Sequence, residues 1–187
     1  MSKTTLLPAA CLLALPLVSS STAAAEESPV AVGDTAPSVE LKSIDGQTVE
    51  LGDVFAEGKT VLVVLRGFPG YQCPLCSRQV GEYRAKAAEF ASAGARVVLV
   101  YPGGAAGLAN RAEEFLSGQS LPEPLTLLLD PDYSFTDAYG LRWDAPNETA
   151  YPSSFVVAEG GEVTWAKISR SHGGRIAAAK TLKLVSE

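Results

Sequence analysis

The 187-residue chain has few of the side chains that most site chemistries need: three cysteines, one histidine, one methionine and two tryptophans. A four-ligand zinc centre would have too few donors, and no metal is expected. Positive charge is scarce as well, with 15 Lys and Arg against 21 Asp and Glu, and it is nowhere gathered into a run. The formal net charge of -6 gives no attractive field for a phosphate backbone or an anionic membrane, so nucleic acid and membrane surfaces are not expected partners. The apolar stretch from Leu6 to Val18 is only about 13 residues and is interrupted by Pro8 and Pro16, so stable membrane insertion is not expected. Tyr101-Pro102-Gly103-Gly104 lacks the Lys-Ser/Thr of a nucleotide-binding loop and reads as a strand-to-helix turn.

What is present is enough apolar residue, 47% of the chain, to fold one domain without staples. The first residues read as an export signal: Lys3, then the apolar stretch, then Ala23-Ala24-Ala25 ahead of Glu26-Glu27. The expectation is cleavage after Ala25, leaving residues 26–187 as the domain, secreted or periplasmic. A lipid-modified Cys11 is the rival reading, against which stand Pro8 and the continued apolar stretch. Cleavage removes Cys11 and leaves Cys73 and Cys76, in a compartment where disulfides persist.

Past the leader, short apolar runs alternate with amphipathic stretches. Val39–Leu41 and Gln47–Leu51 flank an Asp45-Gly46 turn, which predicts an N-terminal hairpin. Residues 61–65 form a continuous apolar run, as expected of a central strand covered on both faces. Val80, Tyr83, Ala87 and Phe90 recur at helical spacing, predicting a helix over 78–93 closed by Gly94. Further strands are predicted over 96–101, 125–129, 154–157 and 162–169, the last two as an antiparallel hairpin. Helices are predicted over 108–116 and 175–185, with one or two turns over 134–139. The fold class is α/β, a central mixed β-sheet with helices on both faces.

The informative segment is Gly67-Phe68-Pro69-Gly70-Tyr71-Gln72-Cys73-Pro74-Leu75-Cys76-Ser77-Arg78, between a buried strand and an amphipathic helix. Pro74 suits the first helical turn, which places Cys73 at the helix start. Unpaired backbone N–H groups there favour a thiolate, the nucleophilic form of cysteine. Cys76 lies one turn on, with Cβ atoms about 5–6 Å apart, close enough for a disulfide. Cys73 is therefore the expected attacking sulfur and Cys76 the resolving one. A permanent structural bridge on a binding module stays open as the alternative of another class.

The strand, the CxxC helix start, Tyr151-Pro152-Ser153-Ser154-Phe155 and the Gly161 hairpin resemble the thioredoxin superfamily. Gly33-Asp34-Thr35-Ala36-Pro37, Arg66-Gly67 and Asp130-Pro131-Asp132 narrow the resemblance to redoxins, the peroxiredoxin-like proteins with an AhpC/TSA domain. The resemblance covers about residues 30–186. It implies a thioredoxin-like fold and a thiol-dependent redox protein that reduces peroxides or partner disulfides. An external thiol or thioredoxin-like donor would reset it, with no cofactor; a dithiol-disulfide reductase or oxidase without peroxidase activity is the alternative. The family pattern Pro-x-x-x-Thr/Ser-x-x-Cys aligns Cys76 with the peroxide-attacking cysteine and Cys73 with the hydroxyl residue. Pro152 stands where peroxiredoxins carry an arginine and where thioredoxin-like reductases have a cis-proline. On that topology the loop Ser169–Arg175 returns to the cysteines, making His172 a candidate proton shuttle and Arg175 or Arg170 a candidate thiolate partner. Arg66 is a further candidate cation, Glu82 and Tyr83 candidate water-orienting groups, and Phe68, Tyr71 and Trp143 candidate lining of the approach.

Overall fold

The computed structural model describes Met1 and residues 28–187, so the expected leader lies outside the described residues. The hairpin is β1 (Glu40–Ser43) against β2 (Thr48–Glu50), turned at Gly46. Then come α1 (Leu51–Ala56), β3 (Thr60–Val64), α2 (Pro74–Ala85), α3 (Ala87–Ser92), β4 (Arg96–Gly103), α4 (Leu108–Leu116) and β5 (Leu125–Pro131). The chain finishes with α5 (Ser134–Ala138), β6 (Ser153–Val157), β7 (Val163–Ile168) and α6 (Ala178–Ser186). The strands form one mixed sheet in the order β2-β1-β5-β4-β3-β6-β7, with β3, β4 and β5 parallel and the remaining pairings antiparallel.

Alternation along the central strands explains the two layers. Val61 and Val63 of β3, with Leu65 just beyond it, face α2, α3, α4 and α6, packing with Val80, Tyr83, Phe90, Phe115 and Val185. Leu62 and Val64 face the other way, onto Leu51 and Phe55 of α1 and Phe135 and Tyr139 around α5. Every residue of β3 is buried because helices cover both faces.

Three local expectations are corrected. Leu51, read as the end of a strand, opens α1, where Leu51 and Phe55 one turn apart bury a shared face despite Gly52. The helix expected over 78–93 begins earlier, at Pro74, and is broken at Lys86, whose N–H reaches back to the Tyr83 carbonyl in a tightened turn. The Val80, Tyr83, Ala87 and Phe90 stripe stays buried across the break, and the Tyr83 and Phe90 rings stack at 5.6 Å. The last helix starts at Ala178 rather than Arg175, because Ala177 is extended and Glu82 of α2 accepts a hydrogen bond from the Ala178 amide at 3.3 Å.

The connection from β3 to α2 crosses the end of β4 at close range. Gly67 has φ 67°, and a Cβ there would lie 1.8 Å from the Pro102 carbonyl oxygen. Only glycine fits both conditions. Phe68 N–H then donates to that carbonyl at 3.1 Å, aiming the chain toward the start of α2.

Candidate active site: a dithiol at the start of α2

Cys73 is the N-cap of α2, extended at φ -86° and ψ 110°, with Pro74 at the first helical position. Its Sγ accepts from the Cys76 backbone N–H at 3.4 Å, as a capping oxygen would. Both cysteines are free thiols, 3% and 0% exposed. Arg175 reaches them from the loop before α6, with Nη2 3.2 Å from Cys76 Sγ and 3.8 Å from Cys73 Sγ.

These contacts split the two sulfurs. The hydrogen bond donated by the Cys76 thiol does most to pull the Cys73 thiol down to about 5; burial opposes it, and the amides of Cys76 and Leu75 and the Arg175 charge assist. Cys76 moves the other way, well above the ordinary thiol range, because it is the donor to Cys73 and because it is fully buried. The neighbouring thiol and the helix-start amides thus favour the charged form at Cys73, while burial favours the neutral form at Cys76, the sulfur nearer Arg175. These directions bear on the order of attack, for which helix position and the family alignment give opposite expectations.

The other candidates lie elsewhere. Arg66, only 2% exposed, donates through Nε to Glu148 at 2.5 Å, through Nη1 to the Tyr71 hydroxyl at 2.6 Å and through Nη2 to the Asn147 carbonyl at 2.5 Å. Its backbone amide, not its guanidinium, serves Cys76. His172 contacts the other oxygen of Glu148 at 2.8 Å and lies beside Trp143, and its ring touches neither sulfur. Burial works against the Glu148 charge, but the hydrogen bonds from Arg66 and His172 outweigh it and hold the carboxyl below its usual range. Arg170 lies over the Tyr151 ring, which stacks on Trp143 at 4.8 Å.

Pro152 is buried at the entry of β6, and its carbonyl accepts from Ser169 N–H. The cis X-Pro bond among the described residues is Glu123-Pro124, so Tyr151-Pro152 is trans and departs from the reductase geometry. Glu82 caps α6, and the Tyr83 hydroxyl meets Thr181 at 3.1 Å in the core, where burial pushes it up to about 12. Neither is placed to orient water at the dithiol. Phe68 lies partly buried under the Arg111 guanidinium, while Tyr71 is 49% exposed over the loop that leads to Cys73.

Two residues that sequence reasoning passed over are central. Gln79, buried on α2, accepts from Arg175 Nη1 at 2.8 Å. Its signal was available: an amide three residues after Cys76, inside the stripe that buries Val80 and Tyr83. Glu148 carried none, because its partners are 82 and 24 residues away in sequence. Among the described residues no three His, Cys, Asp or Glu side chains gather to hold a metal ion, and no helix is long and apolar enough to cross a membrane.

Residues 32–166 match the model of the AhpC/TSA family. Two proteins named as peroxiredoxins, from two strains of Mycobacterium tuberculosis, are each 31% identical over 150 residues, spanning 78% of this chain and 89% of theirs. Among solved structures, the fold is similar to a peroxiredoxin-like protein of Aquifex aeolicus, with TM-score 0.70, 17% identity, and 86% and 88% of the two chains covered. It is also similar to reduced Prx3 of Vibrio vulnificus in complex with hydrogen peroxide, with TM-score 0.69, 23% identity, and 83% and 99% covered. The mixed sheet, the family match and the two relatives agree: the chain belongs to the AhpC/TSA family, as a peroxiredoxin-like oxidoreductase on the thioredoxin fold.

Proposed function

We propose that the protein is a two-cysteine peroxidase in which Cys73 attacks and Cys76 resolves within the same chain. The observation that supports this reading is the Cys73 sulfur at the N-cap of α2, accepting from the Cys76 amide at 3.4 Å where its charged form is favoured, with the more deeply buried Cys76 thiol pushed up beside it. The Cys73 thiolate attacks one oxygen of a hydroperoxide; an S–O bond forms, the O–O bond breaks, and the departing alkoxide or hydroxide takes a proton from solvent. Cys76, giving up its proton, then attacks the Cys73 sulfenic acid, so that an S–S bond forms and water leaves. A dithiol donor of thioredoxin type returns two electrons and two protons and becomes a disulfide itself.

Arg175 supplies the positive charge that the family pattern has at the position of Pro152. Sulfurs only 0% and 3% exposed favour a small peroxide over the disulfide of another folded protein, which must bring its own sulfur into line. Export with cleavage after Ala25 completes the proposal and rests on residues 1–27 of the sequence.

Stopped-flow peroxide consumption tests the assignment. Reduced wild type should turn over with a dithiol donor, Cys76→Ser should consume about one equivalent and stop at the sulfenic acid, and Cys73→Ser should consume none. Peroxide consumption by Cys73→Ser but not by Cys76→Ser would reverse the roles, and none by wild type would leave a dithiol-disulfide reductase or oxidase.

A further inference from the structure

Gln79 is 4% exposed in the buried stripe of α2, beside Cys76, Val80 and Tyr83, at a place where an apolar side chain would serve packing. A buried amide without partners is destabilising, so its partners explain its presence. Both come from the segment before α6. Gln79 Oε1 accepts from Arg175 Nη1 at 2.8 Å, and Nε2 lies 3.5 Å from the Ile176 carbonyl oxygen. The amide can face only this way, since a guanidinium only donates and a carbonyl only accepts.

The same guanidinium donates through Nε to the His172 carbonyl at 3.1 Å and presents Nη2 to both sulfurs. A guanidinium is planar and rigid, so holding Nη1 and Nε fixes where Nη2 points. We infer that Gln79 is a positioning residue for the dithiol: it grips Arg175 from inside α2 and keeps Nη2 aimed at Cys73 and Cys76. Gln79 touches neither sulfur in this network and acts through Arg175. Its grip is neutral and does not depend on the charge of the sulfurs. When Cys73 and Cys76 join and the thiolate disappears, Arg175 loses its counter-charge but keeps Gln79. The cation is thus already in place when the pair is next reduced, which is preorganisation of the kind that lowers barriers.

This inference rests on the proposed role of Cys73 as the reactive thiolate and assigns what keeps that thiolate's cation in position. The test is the pH midpoint of thiolate ultraviolet absorbance in the reduced full chain, for wild type, Gln79→Met, Arg175→Met and the double variant. Removing the grip should raise the midpoint by about one pH unit in Gln79→Met, equivalent to a roughly tenfold smaller thiolate fraction below it. Adding Gln79→Met to Arg175→Met should then move the midpoint no further. An unmoved midpoint in Gln79→Met, or shifts that simply add, would overturn the positioning role. Gln79→Asn, still polar but one methylene shorter, gives the same readout should Gln79→Met fail to fold. Cys73→Ser separates the two levels: if the low-pH transition survives it, the assignment of Cys73 has failed rather than that of Gln79.

Discussion

Arg66 follows β3 and Arg175 precedes α6, and their guanidinium groups form two networks around the start of α2 with different partners. Arg66 meets a carboxylate, Glu148, plus a hydroxyl and a carbonyl, and is only 2% exposed. Arg175 makes no ion pair among the described residues; its partners are a neutral amide, a backbone carbonyl and two sulfurs. Arg66 is thereby neutralised, and its work is to tie the irregular segment 144–149 to the end of β3. Arg175 has no carboxylate to offset its charge, and that charge faces the two sulfurs, Cys76 at 3.2 Å and Cys73 at 3.8 Å. An arginine serves sulfur chemistry when its remaining partners are neutral, and serves architecture when a carboxylate reaches it first.

The largest expected effect removes the anion itself. Cys73→Ser should abolish peroxide consumption altogether and should leave the fold intact, as judged by thermal unfolding. Next come the paired substitutions Arg175→Met and Arg66→Met. Arg175→Met should raise the thiolate midpoint by about 1–2 pH units and slow peroxide consumption at pH 6 by roughly two- to tenfold, with little loss of stability. Arg66→Met should do the reverse: it strands the Glu148 charge and should lower unfolding free energy in urea by about 3 kcal/mol, with the midpoint nearly unmoved. If the two variants behave alike, the division between the arginines is wrong.

A smaller effect follows from pH. Cys73 titrates near 5 in the fold, far below the roughly 8.5 of an ordinary thiol, so its charged form is the one the fold favours. A depressed value adds stability to the dithiol state that is full above about 8.5, declines as pH falls, and is lost below about 5. The disulfide form has no such contribution. The thermal midpoint of the reduced protein, measured relative to the oxidised one, should therefore fall between pH 8 and pH 5. The smallest change is Glu148→Gln, which keeps hydrogen bonds to Arg66 and His172 while removing the charge. It should cost about 1–2 kcal/mol and leave peroxide consumption within a factor of two.

Local pattern carried the scaffold. The continuous apolar run of β3, the Leu108, Ala112 and Phe115 spacing of α4 and the Gly160-Gly161 turn between β6 and β7 each reflect burial by near neighbours, so the sequence displays them directly. The break at Lys86 has neither glycine nor proline to mark it, and α1 is only 6 residues long with a glycine at its second position. At the site, the Cys73-Cys76 spacing and Pro74 were legible because helix geometry alone relates them. Arg175 was reachable only through the topology implied by the resemblance. His172 and Arg66 were expected near the sulfurs for the same reason, yet Glu148 takes both, and nothing in Asn147-Glu148-Thr149 announces a carboxylate that bridges two distant loops. Pairings over such separations are set by tertiary packing, which no local period records.

Which sulfur carries the charge decides which one attacks. Brief alkylation of the reduced protein with iodoacetamide across pH 4 to 9, with the modified residue identified by mass spectrometry, tests that directly. The arrangement at α2 predicts labelling at Cys73, with a rate that rises through a midpoint near 5 and is flat above about pH 7, while Cys76 stays unmodified. Labelling that appears first at Cys76, or a midpoint near the ordinary thiol value of about 8.5, would contradict it.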